Sequence, residues 1–165
     1  FMAFIPLFLM NVLGQSEAAS SLAISLFSIA GMVGTALSGR TSEAVGAHRL
    51  TIACLSASAI GSAVFALNGS SVGLALALTA VLAIGIDLFY PSAVAVGMGY
   101  VPQHLGMASG LTYGVAICLG GVAEPFLGMA GDTFGLTPVM LTLAVIALAA
   151  ALLSIVIKKL DGTQA

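Results

Sequence analysis

Asp87 and Glu124 are the residues whose positions ask most of this chain. Asp87 lies in AIGIDLFYPSA and Glu124 in GGVAEPFLG, each inside a long apolar run. A carboxylate at the centre of a membrane helix costs about 2.5–3.5 kcal/mol on insertion scales, so it should face a bundle interior or an aqueous cavity. Two chemistries suit it there. It can take up and release a proton during a cycle, because leaving water penalises its charge, or it can hold part of a substrate. The plainer alternative for Asp87 is a hydrogen bond to Tyr90, Thr79 or a neighbouring helix that serves packing alone. Beside Glu124, Pro125 brings no N–H, which either frees a carbonyl for water or ligand or merely kinks the helix. Tyr90 and Tyr113 could line a cavity for an amphipathic solute or anchor the chain at the membrane interface, and Tyr100 suits the anchor role.

Other chemistries find little support. His104, next to Pro102, can titrate near neutral pH but reads as a solvated loop residue. His48 adjoins Arg49, which suggests lipid headgroups or the surrounding hinge as its partner. Cys54 and Cys118 lie in apolar runs without paired spacing and read as small core hydrophobes. No His, Cys, Asp or Glu cluster has metal-ligand spacing, and no glycine loop with a lysine could cradle a phosphate. The serines lack an intramembrane His or Lys partner for nucleophilic catalysis. We therefore expect no catalytic residue, no metal and no cofactor. Four Lys and Arg in a chain of net charge −2 leave no footprint for nucleic acid.

The stretch GRTSEAVGAHR, Gly39–Arg49, is a charged break between apolar runs. Gly39 would let one helix end approach its neighbour, and Gly46 permits a tight reversal. Glu43 can accept hydrogen bonds from Arg40, Arg49 or the open N–H groups of the next helix. Such a cluster would latch two helix ends in one conformation and release them in another. The simpler alternative is that the arginines fix topology and Glu43 is solvated. Gly106, Gly110 and Gly114 recur every fourth residue on one helix face, a stripe suited to close helix packing; Gly31 with Gly34, and Gly120 with Gly121, offer similar surfaces.

These residues need spanning helices to position them. Of 165 residues, 60% are hydrophobic and 6% charged, against about 25% charged in a soluble domain, and the mean hydropathy is +1.19. At roughly 20 residues per span there is room for about five or six helices. Continuous apolar runs exclude the alternation of a membrane barrel. Phe1–Leu13 is too short to span and reads as the end of a truncated helix, so the sequence is expected to start within a longer protein; no signal peptide is legible. Helices are expected over about Ala19–Ser38, Leu50–Leu67, Val72–Met98, Gly106–Met129 and Leu136–Ile157. Polar turns are expected at Asn68–Ser71, 99–105 and 131–135, with a polar tail from Lys158. Arg40 and Arg49 fall on the same side as Lys158 and Lys159, which the positive-inside rule makes cytoplasmic, together with the C-terminus.

Displaced by 89 positions, Gly31 falls on Gly120, Val33 on Val122, Gly39 on Gly128, Glu43 on Asp132 and Gly46 on Gly135. Three helices separate the copies, so the pattern describes two inverted three-helix units, about 1–71 and 72–157, an arrangement common in secondary transporters. Chance alignment of glycine-rich helices is the alternative.

With Glu43 for Asp, Ala44 at a basic position and His48 at another, Gly39–Arg49 resembles the G-x-x-x-D-[R/K]-x-G-x-[R/K]-[R/K] loop of the major facilitator superfamily. VPQHLGMASGL, 101–111, and GGVAEPFLGMAGDTFGL, 120–136, are similar to segments of fosmidomycin-resistance-type efflux proteins. The resemblance implies an all-α half-bundle of six transmembrane helices, the C-terminal half of a multi-pass transporter in the cell membrane. It further implies a missing N-terminal half as partner, and alternating-access efflux of a small molecule or drug coupled to protons. Uptake of a sugar or organic anion, or a non-transporting assembly subunit, are the competing expectations. Ala44 in place of a basic residue implies a light latch.

Overall fold

The computed structural model describes residues 1–68 and 71–161, with backbone only at Tyr100 and from 158 to 161. The described residues form six α-helices and one 3-10 turn: α1, Phe4–Asn11; α2, Glu17–Val45; α3, Ala47–Leu67; α4, Val72–Tyr100; the turn Pro102–His104; α5, Leu105–Phe134; and α6, Leu136–Asp161. Helices α2 to α6 are each long and apolar enough to cross a membrane, and α1, at 8 residues, is not. The helices form a multi-pass all-α bundle.

The long helices overrun the expected boundaries. Helix α2 does not stop at Ser38 but continues through Arg40 and Glu43 to Val45, and α3 begins at Ala47 rather than Leu50. Helix α5 likewise runs to Phe134, and the connection over 99–105 shrinks to Val101 and a 3-10 turn. The polar residues there extend the helices rather than turn the chain, since Arg, Glu, Thr and Ser are tolerated in a helix end that water solvates. The turn before α4 is bracketed by Asn68, whose Oδ1 accepts from the Ser71 N–H at 3.1 Å while its Nδ2 donates to the Ser71 carbonyl at 2.7 Å. Helix α6 extends through Lys158 and Lys159 to Asp161, so the expected polar tail begins as helix; 162–165, like Gly69 and Ser70, lie outside the described residues.

One core fixes the topology. Phe8 and Leu9 at the end of α1 meet Ala23 near the start of α2, Phe65 and Ala66 at the end of α3, Ala75 and Leu82 in the first half of α4, and Val139 and Met140 at the start of α6. The rings of Phe8 and Phe65 lie 5.0 Å apart between centroids. Leu127 and Ala130, late in α5, pack against the same core. Odd-numbered helices contribute their ends and even-numbered helices their starts, so successive helices are antiparallel. Arg40, Arg49 and the Lys158–Lys159 pair therefore share the opposite end of the bundle, called here the basic end.

Helix α2 lies along α4 because two glycines let it. A Cβ on Gly34 would sit 2.6 Å from the Ile84 carbonyl oxygen, and one on Gly31 would run into the Asp87 carboxylate. Helix α3 packs on both α4 and α6. Helix α5 is the least covered and touches α4 and α6.

Candidate functional site

The site is built on the middle of α4. Asp87 is half-buried and seated against Gly31 at the midpoint of α2, where only a residue without a side chain leaves room for the carboxylate. Thr79, one candidate partner, donates its hydroxyl to the Ala75 carbonyl at 2.8 Å instead. Among the described residues, no hydrogen bond reaches the Asp87 carboxylate. Pro91 lies inside α4; its missing N–H is the one that would have bonded the Asp87 carbonyl. A carboxylate and a backbone carbonyl of one residue are thus both left without helical partners at mid-span.

The surroundings hold this spot rigid. Ser38 of α2, 2% exposed, donates to the Leu88 carbonyl at 2.9 Å and lies 3.2 Å from the Ser92 hydroxyl, which itself reaches the Leu88 carbonyl at 3.3 Å. The two serines, 54 residues apart, tie α2 to α4 directly beside the proline. Sequence reasoning missed them, since a serine inside an apolar helix gives no sign of which helix it faces. Tyr90, on the next turn of α4, meets Tyr113 of α5 edge-on with centroids 4.8 Å apart. These two rings close the α4–α5 contact, with Gly97 against Thr112 nearby.

Glu124 is not brought to Asp87. It stands exposed on α5 and lines a cavity of about 450 Å³ with Leu119, Ala123 and Leu127 of α5, Phe4 of α1 and Ile146 of α6. Helix α5 runs unbroken through Pro125.

At the hinge, Arg40 and Glu43 ride on the exposed last turns of α2 and Arg49 stands across Gly46 on α3. No hydrogen bond or ion pair joins the three among the described residues. The reversal rests on Gly46 alone, with φ +89°, its N–H donating to the Ser42 carbonyl at 2.9 Å. Gly135 between α5 and α6 repeats it, with φ +88° and a bond of 3.0 Å to the Gly131 carbonyl. A Cβ on Gly39 would meet open space, as it would on Gly106, Gly110 and Gly114 of α5, with no atom of the described residues within 4 Å. Cys54 is buried, whereas Cys118 is exposed on α5 and not in the core. Among the described residues, no His, Cys, Asp and Glu group could hold a metal ion.

The family model of the Major Facilitator Superfamily matches residues 1–164. No curated protein and no solved structure matches the chain.

Proposed function

Because the chain belongs to the major facilitator superfamily, and so to membrane transporters rather than enzymes, we propose that it is the C-terminal half-bundle of a proton-coupled exporter. In this reading Asp87 is the coupling group. One observation carries it: a carboxylate at mid-span, half-buried against Gly31, with no hydrogen bond among the described residues. An acid retained for packing would be bonded, since an unpaired polar group in an apolar setting costs about 1–3 kcal/mol. An acid that must bind and release a proton is better left open to water or solute. The Ser38–Leu88–Ser92 clamp would keep its backbone in place while the proton moves, and Tyr90 and Tyr113 would border the solute path. Glu124, on the less covered helix, is the second candidate for proton or substrate handling.

Alternating access needs a second bundle to rock against this one, supplied by an N-terminal half of the same protein. Efflux of a small molecule or drug rests on the likeness of 101–111 and 120–136 to export proteins. The basic end faces the cytoplasm of the cell membrane in this reading, because all four Lys and Arg gather there.

The test is flux by the complete protein in proteoliposomes under an imposed pH gradient, across a panel of antimicrobials, sugars and carboxylates. Asp87→Asn is expected to lower gradient-driven accumulation at least tenfold while solute exchange without a gradient persists. Gradient-driven flux equal to that of the unmodified protein would overturn the assignment.

A further inference from the structure

We propose that a cleft between α2 and α5 seats an organic cation with an apolar body, its charge on the Asp87 carboxylate and its body against the rings of Tyr90 and Tyr113. The inference rests on the reading of Asp87 as the coupling group, and it adds the sign of the solute that exchanges with the proton.

Helix α4 is the floor of the cleft. Asp87 and Tyr90 are three residues apart, which separates them by about 60° around a helix and about 4.5 Å along it, and both are half-buried. One wall is α2, reached where Asp87 lies against Gly31; the other is α5, reached where Tyr90 meets Tyr113. Helix α3 covers the opposite side of α4, where Gly85 meets Ser58. Among the described residues α2 and α5 do not touch each other, so the two walls do not meet over the floor. Carboxylate and rings border one space.

The sign of the ligand follows from the charges around that space. All four Lys and Arg of the chain lie at the basic end, and α2 has no titratable residue between Glu17 and Arg40. Helix α5 brings Tyr113 to this level, with Cys118 and Glu124 further along; α3 has only Cys54 beyond Arg49, and α1 has no titratable side chain. No cation of this chain therefore answers Asp87 at mid-span. An anionic solute would meet like charge there, and a neutral one would leave an ionised carboxylate uncompensated in apolar surroundings. A monovalent cation compensates it.

The tyrosines suit the same ligand, because the face of an aromatic ring attracts a cation held within about 6 Å of its centroid. In their edge-to-face pair, with centroids 4.8 Å apart, the edge of one ring covers a face of the other, and the first ring keeps both its own faces clear of its partner. Proton and cation cannot share one carboxylate, so the arrival of either sends the other off, the proton to water and the cation to solution, one for one.

Equilibrium dialysis of the complete protein in detergent, at alkaline pH and without a gradient, tests the seat with tetraphenylphosphonium and tetraphenylborate, two ions of one shape and opposite charge. Tetraphenylphosphonium is expected to bind at least about tenfold more tightly than tetraphenylborate, and Asp87→Asn to remove that preference. Tyr90→Phe, which keeps the ring, is expected to change tetraphenylphosphonium affinity less than about twofold, whereas Tyr90→Leu is expected to lower it about fivefold. Equal binding of the two ions overturns the proposal, as does a preference that survives Asp87→Asn. Equal losses in Tyr90→Phe and Tyr90→Leu assign the role to the hydroxyl and overturn the ring contact. Gradient-driven flux judges the coupling separately. Flux lost in Asp87→Asn with no charge preference in binding overturns the cation seat alone; charge-selective binding with that variant's flux intact overturns the coupling and leaves a binding site.

Discussion

Gly31 and Gly34 occupy one face of α2 and do different things there. Gly34 sets the distance between two backbones, because its missing Cβ lets the Ile84 carbonyl approach; Gly31 makes room for one side chain, Asp87. Gly34→Ala must therefore push α4 away, an overpacking cost of about 1–3 kcal/mol, whereas Gly39→Ala, into open space, should leave stability unchanged or slightly raised. Thermal unfolding of the complete protein in detergent distinguishes the two, and equal midpoints would refute the close contact. Gly31→Ala should cost less stability than Gly34→Ala, because a carboxylate can swing aside, yet should disturb gradient-driven flux more. Sequence alone marked Asp87 as expensive and Gly31 as smooth. It could not pair them, because contact between residues 56 positions apart leaves no periodic trace in either helix.

Among elements, the two glycine junctions are the most informative pair. Gly46 and Gly135 share φ to within a degree and the same N–H bond to the fourth residue back, which is the geometry expected if α1–α3 and α4–α6 are copies of one unit. Both values lie where an L side chain is strained, at about 1–3 kcal/mol. Gly46→Ala and Gly135→Ala are accordingly expected to lower stability by similar amounts, read as equal shifts in the unfolding midpoint; a loss at one junction only would argue against equivalent roles. The spacing of these two glycines was legible in the sequence. The helix ends were not: Gly39, Arg40 and Glu43 read as loop because charge and glycine usually interrupt apolar runs, yet a helix emerging from a membrane can continue in water for two turns. That shift moves the residues expected to form a latch: Arg40 and Glu43 ride on one helix and Arg49 on the next, and among the described residues no hydrogen bond or ion pair joins them.

In the whole molecule, packing among the described residues is uneven. Helices α2, α3, α4 and α6 bury one another, while α5 turns Leu111, Val115, Leu119, Val122 and Phe126 outward, together with Gly106, Gly110 and Gly114. Lipid can cover the large side chains, but a run of glycines gains nothing from lipid that alanines would not provide. Its value is close approach of another helix, which does not occur at these glycines among the described residues. The sequence announced the stripe and left its partner unstated, since a smooth face looks alike whether its neighbour is in the same bundle, as for Gly34, or in another. If that neighbour belongs to the other half of the transporter, Gly114→Leu should leave membrane insertion and this bundle's own packing intact, because a Cβ there meets no atom of the described residues within 4 Å. Flux by the complete protein should fall at least tenfold, because the two halves could no longer close over α5. The same change at Gly39, also facing open space but at the end of α2, should have a much smaller effect. Flux unaffected by Gly114→Leu, with normal insertion, would assign the stripe to lipid and leave the contact with the second bundle to other faces of this chain.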